Sequence, residues 1–157
     1  MTNMRALYQE VILDHNRKPR NFGPLPEATC QATGDNPLCG DHYDIYAVVE
    51  DGVIQKVGFH GEGCAISKAA ASMMTVRAKG KTVDEAREMI EEFRQMLTGR
   101  LDLSGEHSLG HLTVFEGVSQ LPQRVKCAVL PWHALDAALR GEEVTSTEGE
   151  ADVWTEE

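Results

Sequence analysis

Asn36-Pro37-Leu38-Cys39-Gly40-Asp41 is a short polar turn between two stretches that read as β-strands. It sets a thiol, Cys39, and a carboxylate, Asp41, two residues apart on a tight, glycine-hinged loop. Before it, Ala28 to Thr33 reads as a short strand that contains Cys30. After it, Asp41 to Glu50 alternates, with Tyr43, Ile45, Ala47 and Val49 on one face and His42, Asp44, Tyr46 and Val48 on the other. Asp51-Gly52 is a strong two-residue hairpin signal, because glycine tolerates positive φ. Val53 to His60 then returns as a third strand. The turn therefore predicts a small three-stranded antiparallel meander with the thiol and the carboxylate beside it.

Outward from the meander the periodicity becomes helical. On the N-terminal side, Leu7, Val11, Tyr8, Ile12 and His15 are spaced for a helix from Met4 to Asn16, ended by Pro19, with Asp14-His15 at its C-terminus. On the C-terminal side, Cys64 opens a helix of small residues behind Gly61-Glu62-Gly63, running through Met74 and stopping before Gly80. Thr82-Val83-Asp84-Glu85 is a capping box that starts an amphipathic helix to Leu97, its stripe being Val83, Ala86, Met89, Ile90, Phe93 and Leu97. Thr98 to Leu121 is irregular, with a short helix over Leu112 to Phe115. Gln123 to Arg140 reads helical, interrupted or restarted at Pro131. The pattern predicts one domain over residues 1–141 and an acidic, disordered tail over 142–157.

A chain of 157 residues can bury an ordinary core without staples, and 41% hydrophobic with 25% charged residues is the composition of a soluble protein. The formal net charge of −10 argues against nucleic acid and anionic membranes as partners. No apolar run reaches the ~20 residues needed to span a bilayer, and Met1-Thr2-Asn3-Met4-Arg5 lacks a signal-peptide core, which places the chain in the cytoplasm. Four cysteines are reduced there, so metal binding or reactive thiols account for them better than disulfides do.

Three of those thiols have informative surroundings. Cys39 shares its turn with Asp41, Cys64 stands at a helix N-terminus whose amide dipoles favour thiolate, and Cys127 lies beside Lys126. With Asp41 they make a four-coordinate set for zinc, or for iron with sulfide. Asp41 is the harder and more labile ligand, suited to an exchangeable position. The scattered spacing is not that of a zinc finger, and taken alone it leaves two bland alternatives open: a solvated turn at Cys39-Gly40-Asp41 and close helix packing at Cys64. Cys30, with no turn or charge beside it, reads as a small core residue, as do Met73 and Met74. His60, His107, His111 and His133 are isolated in the sequence.

The same residues carry a family resemblance. Leu7-Tyr8, Val11-Ile12-Leu13-Asp14-His15 and Pro19-Arg20-Asn21-Phe22-Gly23 resemble the opening of the IscU/NifU N-terminal-type iron–sulfur cluster assembly family. Asn36 to Asp41, Gly61 to Ser67 and Arg124-Val125-Lys126-Cys127-Ala128 resemble its three metal-ligand motifs. Members of the IscU branch have His directly before the last Cys and a Leu-Pro-Pro-Val-Lys chaperone motif, whereas here Lys126 and the partial match Leu121-Pro122-Gln123-Arg124-Val125-Lys126 stand in those places. With a longer stretch between Cys64 and Cys127, the chain is most similar to the zinc-binding SufU branch.

The resemblance implies an α+β fold of the SufE/NifU-like kind, a small antiparallel three-stranded sheet packed against helices with the site at one end. It implies Zn²⁺ on Cys39, Asp41, Cys64 and Cys127, and a cysteine desulfurase of the SufS/IscS-like kind as partner. On that reading Cys39 is the first choice of sulfur acceptor and Cys127 the second, and apo iron–sulfur proteins lie downstream. One alternative is a scaffold that builds a transient [2Fe-2S] cluster on Cys39, Cys64 and Cys127; another is a structural zinc protein with inert thiols. A cysteine hydrolase built on Cys127 is disfavoured, since no His is tied to that thiol by context.

Overall fold

A computed structural model describes residues 4–36, 40–102, 104–105, 107–141 and 144–146. The elements run α1 (Met4–Arg17), β1 (Cys30–Asn36), β2 (Asp41–Glu50), β3 (Val53–Glu62), α2 (Ala65–Ala78), α3 (Val83–Leu97), a 3₁₀ segment (Gly110–Gln120), α4 (Pro122–Leu139) and β4 (Val144–Ser146). The expected α+β meander is present: β1 pairs antiparallel with β2, and β2 with β3. Asp51 and Gly52 take positive φ, 53° and 76°, as the tight hairpin requires.

The sheet departs from the reading in two places. β1 is displaced toward the turn, pairing Cys30 with Ala47 and continuing to Asn36 opposite Asp41. That register carries the ladder to the residues flanking Cys39, which itself lies outside the described residues. Val144–Ser146, within the stretch read as tail, form β4 and add a short parallel pair at the free edge of β1, giving the order β3-β2-β1-β4. The remainder of the tail lies outside the described residues.

The helices cover one face of the sheet. α3 starts on the expected capping box: Glu85 N–H donates to Thr82 Oγ1 at 3.1 Å, and Thr82 N–H donates to Glu85 Oε1 at 3.0 Å. Its stripe is buried at Ala86, Met89, Ile90, Phe93 and Leu97, with Met96 added and Val83 left half-buried. α4 is one helix through Pro131, not two. Proline costs about 3 kcal/mol in a helix interior, and burial of Val129, Leu130, Trp132 and Leu135 around it offsets that cost. Trp132 stacks on Phe93 at 4.0 Å between ring centroids, locking α4 to α3.

Glycines set how closely these layers approach. Gly34 on β1 faces α4, where a Cβ would come within 3.1 Å of Ala134 Cβ and 3.2 Å of Leu130 Cδ1. Gly61 closes β3 onto β2 with φ +146°, and a Cβ there would strike the His42 carbonyl oxygen. α1 is fastened to α2 by its last residues: His15 Nδ1 meets Ser72 Oγ at 2.6 Å, and Asn16 Nδ2–H donates to the Ala65 carbonyl at 2.7 Å. His15 is thus satisfied by a side chain of α2 rather than by its own helix end. His133 is buried in α4, and burial, with the charge of Arg140 second, pushes its imidazole down to about 4.

Two outcomes follow from this packing. Gly61→Ala combines a backbone clash with a disfavoured φ and should lower stability by about 2–4 kcal/mol; an unchanged urea midpoint would contradict the close approach of β3 to β2. His133 has a folded-state pKa below its unfolded one, so the unfolded chain takes up the proton first. The stability His133 contributes is present above about pH 6.5 and lost as pH falls toward 4. With a chelator present throughout, His133→Gln should lose less stability than wild type between pH 7 and 5, and equal losses would rule His133 out as the cause.

Candidate metal centre

Three chain segments meet at the end of the sheet where β1 turns into β2. Asp41 is the first residue of β2, Cys64 follows β3 as the N-cap of α2, and Cys127 sits in the second turn of α4. One ligand atom from each lies within 4.8 Å of the others. Asp41 is 2% exposed and Cys127 1%, while Cys64 is half-buried. Cys39, the fourth expected ligand, lies outside the described residues; chain connectivity puts it two residues before Asp41. The loop that carries it is closed by Gly40 N–H donating to the Asn36 carbonyl at 2.8 Å, with Gly40 at φ +78°.

Each group is held by local chemistry. Cys64 N–H donates to Asp41 Oδ1 at 3.2 Å, which ties the start of β2 to the start of α2. Ser67 N–H donates to Cys64 Sγ at 3.4 Å, so the sulfur takes the place that a Ser or Asp oxygen usually fills in an N-cap. Ser67 Oγ donates to the Cys64 carbonyl at 3.1 Å and meets the buried Tyr43 hydroxyl at 2.8 Å. Gly63 passes so close to Tyr43 and Ser67 that no side chain fits there. Gly61-Glu62-Gly63 is therefore a packing requirement of the site.

The electrostatics favour thiolate. The Cys64 thiol is shifted well below its usual value, first by hydrogen bonding with Cys127 and then by donation from Ser67, against the opposing effect of burial. The Arg124 guanidinium lies against both sulfurs, and the Cys64 thiolate beside it holds its own pKa above the usual value. Lys126, to which the sequence assigned that influence, lines a surface hollow with Thr98 and Gly99. Arg124 is three residues before Cys127 and so on the same helix face, a spacing that could have singled it out. Ser67 and Tyr43 carry no comparable sequence signal.

This donor set fits a metal ion. Asp41 Oδ2 is buried with no hydrogen-bond partner among the described residues, and it belongs to the same group as the Cys64 thiol, which is shifted toward ionisation, and the Cys127 thiol. A buried acceptor without a donor is costly unless a cation or proton completes it. Two sulfurs and a carboxylate oxygen suit Zn²⁺, leaving a fourth position. Cys30 is far from this point: six residues of strand, about 20 Å, separate it from Asn36. Burial raises its thiol.

Fold and donor set together define a small α+β domain with a cysteine–aspartate cluster able to hold a metal ion at one end of its sheet. The NifU-like N-terminal domain model matches residues 7–128, and the chain belongs to that family. It is 38% identical over 141 residues to the zinc-dependent sulfurtransferase SufU of Bacillus subtilis, covering 90% of this chain and 95% of that one. It is 38% identical over 136 residues to the iron–sulfur cluster assembly scaffold protein IscU of Thermotoga maritima, covering 87% and 94%. Among solved structures, a candidate iron–sulfur cluster assembly scaffold protein of the SUF system from Fervidobacterium islandicum superposes with a TM-score of 0.79 at 35% identity, covering 87% of this chain and 99% of that one.

Metal binding couples to folding when its ligands come from three separate elements. Cys64→Ser should weaken zinc binding by about 100-fold or more and lower Tm, and a chelator should lower the wild-type Tm. Retention of both zinc and Tm by Cys64→Ser would remove Cys64 from the site.

Proposed function

We propose that the protein acts in iron–sulfur cluster assembly as a zinc-binding acceptor of sulfur from a cysteine desulfurase in the cytoplasm, with Cys39, Asp41, Cys64 and Cys127 as the ligand set. The observation that carries this reading is the convergence of Asp41, Cys64 and Cys127 within 4.8 Å around a buried carboxylate oxygen that lacks a donor. The name of the Bacillus relative, a zinc-dependent sulfurtransferase, supports it. When bound, zinc keeps the thiols ionised near neutral pH and gathers them at one point.

The transfer itself needs little from the protein beyond a thiolate. Cys39 attacks the outer sulfur of the desulfurase persulfide. The S–S bond breaks, the enzyme's cysteine leaves as thiolate, and the sulfur arrives with its proton as a persulfide on Cys39, with no net oxidation or reduction. Burial disfavours Cys127 in that role, since a persulfide on another protein would have to reach a sulfur in a residue 1% exposed. Asp41 is the weakest of the proposed ligands to a soft metal, so the site can rearrange there without losing its thiolates. Apo iron–sulfur proteins are the proposed onward acceptors.

Adding the chain to its desulfurase should raise alanine production from cysteine, because it removes the persulfide and frees the enzyme for the next turnover. Cys39→Ser should abolish that stimulation and Cys30→Ser should keep it, with a sulfur added to a site cysteine visible by mass spectrometry of the wild type. Absence of stimulation by wild type would defeat the acceptor reading. A visible cluster spectrum on anaerobic reconstitution, transferable to an apo-protein, would favour the scaffold alternative instead.

A further inference from the structure

We propose that Tyr43 and Ser67 are positioning residues for Cys64. In this view a buried phenol–hydroxyl chain keeps the Cys64 thiolate seated as the ligand that stays on the metal while another thiol exchanges. The inference rests on the metal-centre reading above and goes on to say how its ligands divide the work. Tyr43 is on β2, two residues after Asp41, and Ser67 is in the first turn of α2, three residues after Cys64. Both are fully buried, and their hydroxyls lie 2.8 Å apart. Ser67 then turns two groups toward Cys64, in three contacts. Its N–H is 3.4 Å from Sγ, its Oγ is 3.1 Å from the carbonyl oxygen, and the same Oγ is 3.7 Å from Sγ.

The direction of the chain follows from proton counting. A metal-bound Cys64 sulfur has no proton to give, so it can only accept, and the Ser67 N–H at 3.4 Å is its donor. The one Ser67 hydroxyl proton goes to the Cys64 carbonyl, so the hydroxyl oxygen accepts from Tyr43, and the phenol has no nearer hydroxyl partner among the described contacts. Tyr43 thus holds the Ser67 hydroxyl on the Cys64 carbonyl, which keeps the Ser67 N–H aimed at the sulfur; that donation draws charge from the sulfur, lowers its nucleophilicity and fixes its direction. Cys39, on the loop before Asp41, is left as the thiol that exchanges. The same pair sets the spacing of Asp41 and Cys64, because Gly63 is clamped between Tyr43 and Ser67 with no room for a Cβ. A role in core packing alone would be met equally well by phenylalanine.

The experiment uses the full chain loaded with Co²⁺ in place of zinc, with zinc release to a chromophoric chelator measured in parallel. Wild type should take up about one ion per chain and show a sulfur-to-cobalt charge-transfer band. Tyr43→Phe keeps the ring and removes only the hydroxyl; Ser67→Ala keeps the N–H and removes the hydroxyl that fastens the Cys64 carbonyl. Each should move the band to lower energy and speed zinc release by about tenfold. The double variant should go no further than Ser67→Ala, because the phenol acts only through Ser67. An unmoved band and release rate in both single variants would overturn the inference, even if Tm fell. Additive shifts in the double variant would overturn it as well. A wild-type chain that takes up neither cobalt nor zinc would overturn the metal-centre reading and this inference together, an outcome distinct from the other two.

Discussion

The structure depends on a carboxylate buried where it cannot be solvated. Asp41 gives one oxygen to the Cys64 N–H and keeps the other inside with no donor among the described residues. The Cys64 and Cys127 sulfurs stand within 4.8 Å of it. At that spacing and an effective dielectric of 20, each pair of like charges repels by about 3 kcal/mol. Arg124 opposes this from an exposed position, where solvent screens it. A bound divalent cation would answer the whole problem at once, and the same groups that repel without it would supply its binding energy. The β1–β2 register, the missing side chains at Gly61 and Gly63, and the sulfur N-cap of α2 all serve to bring these groups together.

Much of this was legible in the chain because it rests on local chemistry. Asp51-Gly52 announces a hairpin through its backbone preference, and Thr82 with Glu85 announces a helix start through reciprocal hydrogen bonds. The three ligand motifs were recognisable as motifs, and three of their four expected ligands converge in the described residues. Long-range packing was not legible. That α4 continues through Pro131 depends on Trp132 stacking on Phe93, two residues far apart in sequence. That α4 comes close to the sheet at Gly34 depends on Leu130 and Ala134. The choice between Arg124 and Lys126 as the cation beside the sulfurs follows from helix phase, which adjacency in sequence obscures. Tyr43 read as one more core residue because its hydroxyl partner lies across the fold.

The ligands differ in how firmly their backbones are held, and that difference bears on exchange. Asp41 and Cys64 are bonded to each other, and Cys64 is also engaged through its sulfur and its carbonyl by Ser67. Cys127 rides on a helix anchored by large buried side chains, but four residues later Pro131 has no N–H to give to the Cys127 carbonyl, and its ring crowds that turn. The turn bearing Cys127 therefore lacks one i+4 backbone donor, although its residues are buried in the core. On the proposed function, a site that holds a metal and lets one ligand go would be served by this difference: Asp41 and Cys64 are bonded to each other on β2 and α2, and Cys127 sits on a proline-interrupted turn of α4. Uniform rigidity would suit a metal that only supports folding, since any loss of a ligand would then forfeit stability with nothing gained.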